Sequence, residues 1–148
     1  LHHMVGKPAP EIACEAWFNL PEGQTELKLA DLRGKVVVLT MWGGWDYLGV
    51  GPDRTDELNK LYAMLKDADD VAFASVHDGS ASPDEVRRYV AQYSIPFPVG
   101  RDAEPALTFD SYNVNTIPQT VLIDNQGILR YFHVDGRLLE LIKDLRRQ

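Results

Sequence analysis

The apolar positions of this chain fall into two kinds of pattern, and their order along the sequence sets a fold class. Lys35-Val36-Val37-Val38-Leu39-Thr40-Met41-Trp42 runs apolar without alternation, which is how a strand covered on both faces reads. Val71 to Val76 is a second such run, closed by His77-Asp78-Gly79-Ser80. Between them Pro52 and Asp53 open a helical stretch whose apolar residues Leu58, Leu61, Tyr62 and Leu65 recur at i, i+3, i+4 and i+7, one buried stripe. A second helix is announced by Ser82 as N-cap, Pro83 at the first helical position and Glu85 completing a capping box. Val86, Tyr89, Val90 and Tyr93 give it an apolar face.

Phe97-Pro98-Val99 reads as a short extended piece and Ala103 to Tyr112 as a short helix. Val121-Leu122-Ile123 and Ile128 to Val134 flank Asp124-Asn125-Gln126-Gly127, a tight-turn signal that makes these two strands a hairpin. Arg137 to Arg147 closes the chain as a helix, with Leu138, Leu141, Ile142 and Leu145 on its inner side and basic residues in its last turn. The Pro- and Gly-punctuated stretch Val5 to Gly34 reads as an extended lead-in with a short hairpin around Pro21-Glu22-Gly23. The order β-α-β-α-(β)-α-β-β-α implies a parallel pair joined by a right-handed crossover, then an antiparallel hairpin. The expected architecture is a three-layer α/β/α fold around a mixed sheet.

Composition narrows the chemistry. The 148 residues suit one domain, with 45% hydrophobic and 25% charged residues. A net charge of -7 argues against a nucleic-acid partner, and no apolar run reaches the roughly 18–20 residues that insertion across a membrane needs. The single cysteine, Cys14, excludes an internal disulfide and a multi-cysteine zinc site. Leu1-His2-His3-Met4 reads as a tag remnant, leaving residues 5–148 as one domain.

Three stretches carry a family resemblance. Val5-Gly6-Lys7-Pro8-Ala9-Pro10-Glu11-Ile12 resembles the G-x-x-A-P-x-F opening of the AhpC/TSA and TlpA/ResA-like branch of the thioredoxin-like superfamily. Leu32-Arg33-Gly34-Lys35-Val36-Val37-Val38-Leu39 with Trp42 and Trp45 is similar to the family core that ends in W-C-x-x-C. Thr116-Ile117-Pro118-Gln119-Thr120, followed by Val121 to Asp124 and Gly127, resembles the cis-proline strand and hairpin. The resemblance implies a thioredoxin-like fold, and the length from Val76 to Val114 implies a TlpA- or peroxiredoxin-type insert. It also implies an extended peptide or protein partner in a groove beside Pro118 and an extracytoplasmic location; no cofactor is expected.

The departure from the family is chemical. Aligning the tryptophans puts Asp46 at the attacking cysteine and Gly49 at the resolving one. Thiol–disulfide exchange needs a thiolate, so no catalytic pair is intact. Asp46 reads as a carboxylate stabilised by a helix start, as an acid–base group without a neighbouring partner in sequence, or as part of a binding rim with Trp45 and Tyr47. The expected groove is Trp45, Asp46, Tyr47, Ile117 and Pro118, and the expected function is a redox-inactive binding or scaffold domain. The alternative is an AhpC/TSA- or TlpA-type oxidoreductase working by a route other than C-x-x-C. Other motifs carry less. Cys14 reads as a small buried hydrophobe, His77 and His133 as structural or exposed rather than metal-binding, and Asp67, Asp69 and Asp70 as a solvated loop. Gly49-Val50-Gly51 lacks the third glycine of a dinucleotide loop, with Arg54 in its place.

Overall fold

A computed structural model describes residues 1–44, 50–103, 106–132, 134 and 136–148, with backbone alone for 50–55. Six strands form one sheet: β1 (Cys14–Phe18), β2 (Val36–Trp42), β3 (Val71–His77), β4 (Val99–Asp102), β5 (Gln119–Ile123) and β6 (Leu129–Phe132). Their order is β1-β4-β3-β2-β5-β6. The helices are α1 (Val50–Leu65), α2 (Pro83–Gln92), α3 (Leu107–Ser111) and α4 (Leu138–Arg146). β2 pairs parallel with β3, from Val36↔Val71 to Trp42↔His77, and antiparallel with β5, from Val37↔Ile123 to Met41↔Gln119. The mixed sheet implied by the pattern is therefore present.

Every residue of β2 is buried, because its two sides face two separate cores. Val36, Val38 and Trp42 join Leu58 and Leu61 of α1, Val86 of α2 and Leu138, Leu141, Ile142 and Leu145 of α4. Val37, Leu39 and Met41 face the other way, toward Ile12, Leu29, Phe109 and Tyr112. The period of two along a strand divides a single apolar run between both layers. Three helices thus cover one face, while α3 and the N-terminal segment cover the other.

The lead-in is more ordered than its sequence implies. Cys14 to Phe18 form an edge strand paired antiparallel with β4 (Cys14↔Asp102, Phe18↔Val99), in place of an extended stretch with a local hairpin. Pro21 closes only a turn, its carbonyl accepting from Gln24 N–H at 3.1 Å. The reason is tertiary: β1 finds its partner in a strand far along the chain. Residues 6–9 likewise lie along the start of β6, with Gly6 N–H donating to Leu129 O at 2.8 Å and Leu129 N–H to Lys7 O at 3.0 Å.

The α3 helix is shorter than Ala103 to Tyr112 because its start is set by Asp102. That fully buried carboxylate accepts from Ala103, Thr108 and Phe109 N–H at 2.9–3.0 Å, satisfying backbone donors that a helix start leaves open. The capping box of α2 is formed as the sequence implies. Glu85 N–H donates to Ser82 Oγ at 3.2 Å, and Ser82 N–H to the Glu85 carboxylate at 3.1 Å. In the β5–β6 hairpin Asp124 Oδ1 accepts from Gln126 and Ile128 N–H, and Gly127 takes φ +82°, a left-handed conformation that glycine adopts without a Cβ penalty. Of the three acidic residues read as a solvated loop, Asp70 is tied down. Arg146 Nε donates to its carboxylate at 2.9 Å, and that bond holds the carboxyl below its ordinary range.

Two outcomes follow for stability. Leu39→Ala, at a position with no exposed surface, should cost about 2–5 kcal/mol, read as a lower urea midpoint with an unchanged slope. Ser82→Ala should cost about 1 kcal/mol, a smaller midpoint shift by the same measurement.

Candidate functional site

The C-terminal end of β2 lies between two different neighbours, parallel β3 on one side and antiparallel β5 on the other. Beyond the Met41↔Gln119 pair, Pro118 lies on one side of this end, and the Trp42↔His77 pair puts His77 on the other. The Ile117–Pro118 bond is cis. Both residues are half-buried, and Asn115 and Thr116 before them are exposed. Of the five groove residues expected from the sequence, these two lie beside the C-terminal end of β2. Trp45, Asp46 and Tyr47 lie outside the described residues, as do Gly49 and His133.

Trp42, at the last position of β2, is core rather than rim. It is 3% exposed, and its indole Nε1–H donates to Ser75 Oγ at 3.2 Å. Its ring meets the His77 imidazole edge-on, with centroids 4.7 Å apart.

His77 is the residue whose role the sequence understated. It is fully buried, and both ring nitrogens are engaged. Nε2 accepts from Gly44 N–H at 2.8 Å, and Nδ1 stands 3.0 Å from Asp78 O. A carbonyl only accepts and an amide N–H only donates, so the ring is neutral with its proton on Nδ1. Burial, the largest influence, pushes its pKa below the ordinary histidine value.

Gly44 is gripped from its other side as well. Tyr93, the C-cap of α2, donates its hydroxyl to Gly44 O at 2.9 Å. Tyr89 stacks on both the imidazole (centroids 5.5 Å, planes 9° apart) and the Tyr93 ring (6.2 Å, 7°). A Cβ at residue 44 would fall 2.3 Å from the Tyr89 ring, so only glycine fits there. The sequence assigns Tyr89 and Tyr93 to the apolar face of α2 and leaves His77 as an isolated strand-end histidine. No linear motif links the three, because α2 brings its tyrosines to the strand end only through packing.

Cys14 sits on β1, three strands across the sheet from β2. At the usual strand spacing that is roughly 14 Å. Its thiol packs with the second core, and a Cβ on Gly100 would fall 2.5 Å from its sulfur. Burial, reinforced by the Asp102 carboxylate, pushes the thiol pKa well above its ordinary value, the opposite of what a reactive cysteine needs. Among the described residues no three His, Cys, Asp or Glu side chains gather where they could hold a metal ion. No helix among them is long and apolar enough to cross a membrane.

The chain is 31% identical over 123 residues to the thiol-disulfide oxidoreductase ResA of Bacillus cereus, across 83% of this chain and 65% of that protein. It is 32% identical over 109 residues to the thioredoxin-like protein YneN of Bacillus subtilis, across 72% and 60% respectively. It therefore spans slightly under two thirds of the length of these relatives. Among solved structures, a thioredoxin-like superfamily protein superposes with a TM-score of 0.78 at 29% identity, covering 95% of this chain and 97% of that one. A thiol-disulfide isomerase from Corynebacterium glutamicum shares the fold, with a TM-score of 0.80 at 24% identity over 100% and 99% of the two chains. The AhpC/TSA family profile matches residues 5–132. With that match over most of its length, this chain belongs to the AhpC/TSA family and has a thioredoxin-like fold.

Proposed function

We propose that this chain is a binding or scaffold domain of the thiol-disulfide oxidoreductase kind that has lost its dithiol chemistry and keeps the groove beside the cis-proline. One observation carries the reading: the chain has a single cysteine, and it is half-buried on β1, away from the end of β2. Dithiol exchange needs an attacking and a resolving sulfur in reach of each other, with Cα atoms within about 7 Å. Asp46 and Gly49 occupy the corresponding sequence positions, and a carboxylate cannot form a mixed disulfide.

The occupant we propose is an extended peptide segment of a protein partner, lying beside Ile117 and Pro118, with Trp45, Asp46 and Tyr47 as the facing rim. Extended chains bind by main-chain hydrogen bonds along a strand or its approach. The exposed residues 115 and 116, leading into the cis bond, offer such an approach. A second reading, an AhpC/TSA-type oxidoreductase or antioxidant protein working without C-x-x-C, rests on the family itself.

Disulfide reduction and peroxide consumption distinguish the two. The unmodified protein should show neither above the buffer rate. The double variant Asp46→Cys with Gly49→Cys should gain disulfide reduction. Turnover by the unmodified chain that Cys14→Ala abolishes would replace the binding reading with single-cysteine chemistry. An unfolded, alkylated polypeptide should perturb the amide resonances of residues 115–117 and 119, and the absence of any such perturbation would remove the groove from the proposal.

A further inference from the structure

The grip on Gly44 is built from two side chains, an imidazole and a phenol. On the strand side stands the neutral His77 imidazole, whose Nε2 lone pair receives the Gly44 N–H at 2.8 Å. On the helix side stands the Tyr93 hydroxyl, donating to the Gly44 carbonyl at 2.9 Å. The Tyr89 ring fills the space against which Gly44 is pressed. Both faces of one peptide residue are thus fixed by side chains from different elements, β3 and α2, in a pocket without solvent access at His77.

We propose that His77 and Tyr93 form an acid-releasable clamp on Gly44: the clamp is closed while the imidazole is neutral, and a proton taken up at Nε2 turns that nitrogen from acceptor into donor and opens it. The Gly44 N–H then faces an N–H, and no rotation of the ring restores the bond. A flipped imidazolium would still present only donors, and Nδ1–H is already committed to the Asp78 carbonyl. Gly44 directly precedes residues 45–49 in the chain, the stretch where the family carries its C-x-x-C. The clamp therefore ties the path by which the chain leaves β2 to pH, whatever occupies the groove.

The charges around the ring set the range. Just past the end of β3 Asp78 favours the protonated form, and from α2 so does Glu85; Arg101 of β4 opposes it. Trp42 of β2 and Tyr89 and Tyr93 of α2 complete the surroundings with rings. Burial outweighs the two carboxylates and lowers the histidine's pKa. The sign follows by linkage. With the folded-state pKa below the unfolded one, stability is full above the ordinary histidine value of about 6.5 and is lost as pH falls through the folded value.

The test reads Gly44 directly. Amide hydrogen-exchange protection factors, corrected for intrinsic exchange, are measured from pH 7.5 to 4.5 on the full chain. Gly44 protection should fall by about tenfold per pH unit once the imidazole titrates. His77→Gln, whose side-chain amide can both accept and donate, should make the profile flat. Glu85→Gln, which retains a capping-box side chain, should leave the fall in place. Tyr93→Phe should lower Gly44 protection at neutral pH without removing its pH dependence.

Protection that stays constant over this range in the unmodified protein, or a fall that persists in His77→Gln, would overturn the proposal. Should His77→Gln not fold, the ring nitrogens of the unmodified protein decide. Nitrogen NMR at pH 7.5 should show a protonated Nδ1 and a bare accepting Nε2, and the opposite tautomer or an imidazolium would sink the clamp.

Discussion

Burial of β2 on both faces is the constraint from which the rest of the structure follows. A strand with seven buried residues must satisfy its backbone through two neighbours and its side chains through two layers. Parallel β3 and antiparallel β5 meet the first requirement. The second is met by α1, α2 and α4 on one face and by α3 with the N-terminal segment on the other. The two cores are not interchangeable, since residues at alternate positions of the same run belong to different ones.

That constraint also positions the chemistry. At the C-terminal end of β2 three features meet: the cis Ile117–Pro118 bond, the buried His77 and the exit of the chain through Gly44. The lone Cys14 packs with the second core, on a strand away from this end.

Buried polar groups anchor the connections around this frame. Asp102 receives three backbone N–H groups and so decides where α3 begins. Arg101 donates to the carbonyls of Gly79 and Ala81 and pairs with Glu15, which ties the β3–α2 connection to β1. In each case a charge taken largely out of water has the partners that make this tolerable. The segment after β3, which carries Asp78 beside His77, is held by this network together with Ala81 in the first core.

Much of this was legible without coordinates, for a physical reason. The unalternating run at residues 35–42, the i, i+3, i+4 stripes of α1 and α4, the Ser82–Glu85 capping box and the Asp124–Gly127 turn are local statements. Each depends on residues within one or two turns of chain, so propensity and periodicity suffice. The single cysteine was equally plain, since counting a residue type needs no fold. What only the tertiary structure decided depends on distant partners. Cys14 to Phe18 become a strand because β4 presents an open edge; α3 shortens because Asp102, buried at the end of β4, caps it; and His77, Tyr89 and Tyr93 become one cluster around Gly44 because α2 packs over the end of β3. A residue's neighbours in sequence carry its conformational preference, but the state of a buried titratable ring is set by what is folded against it.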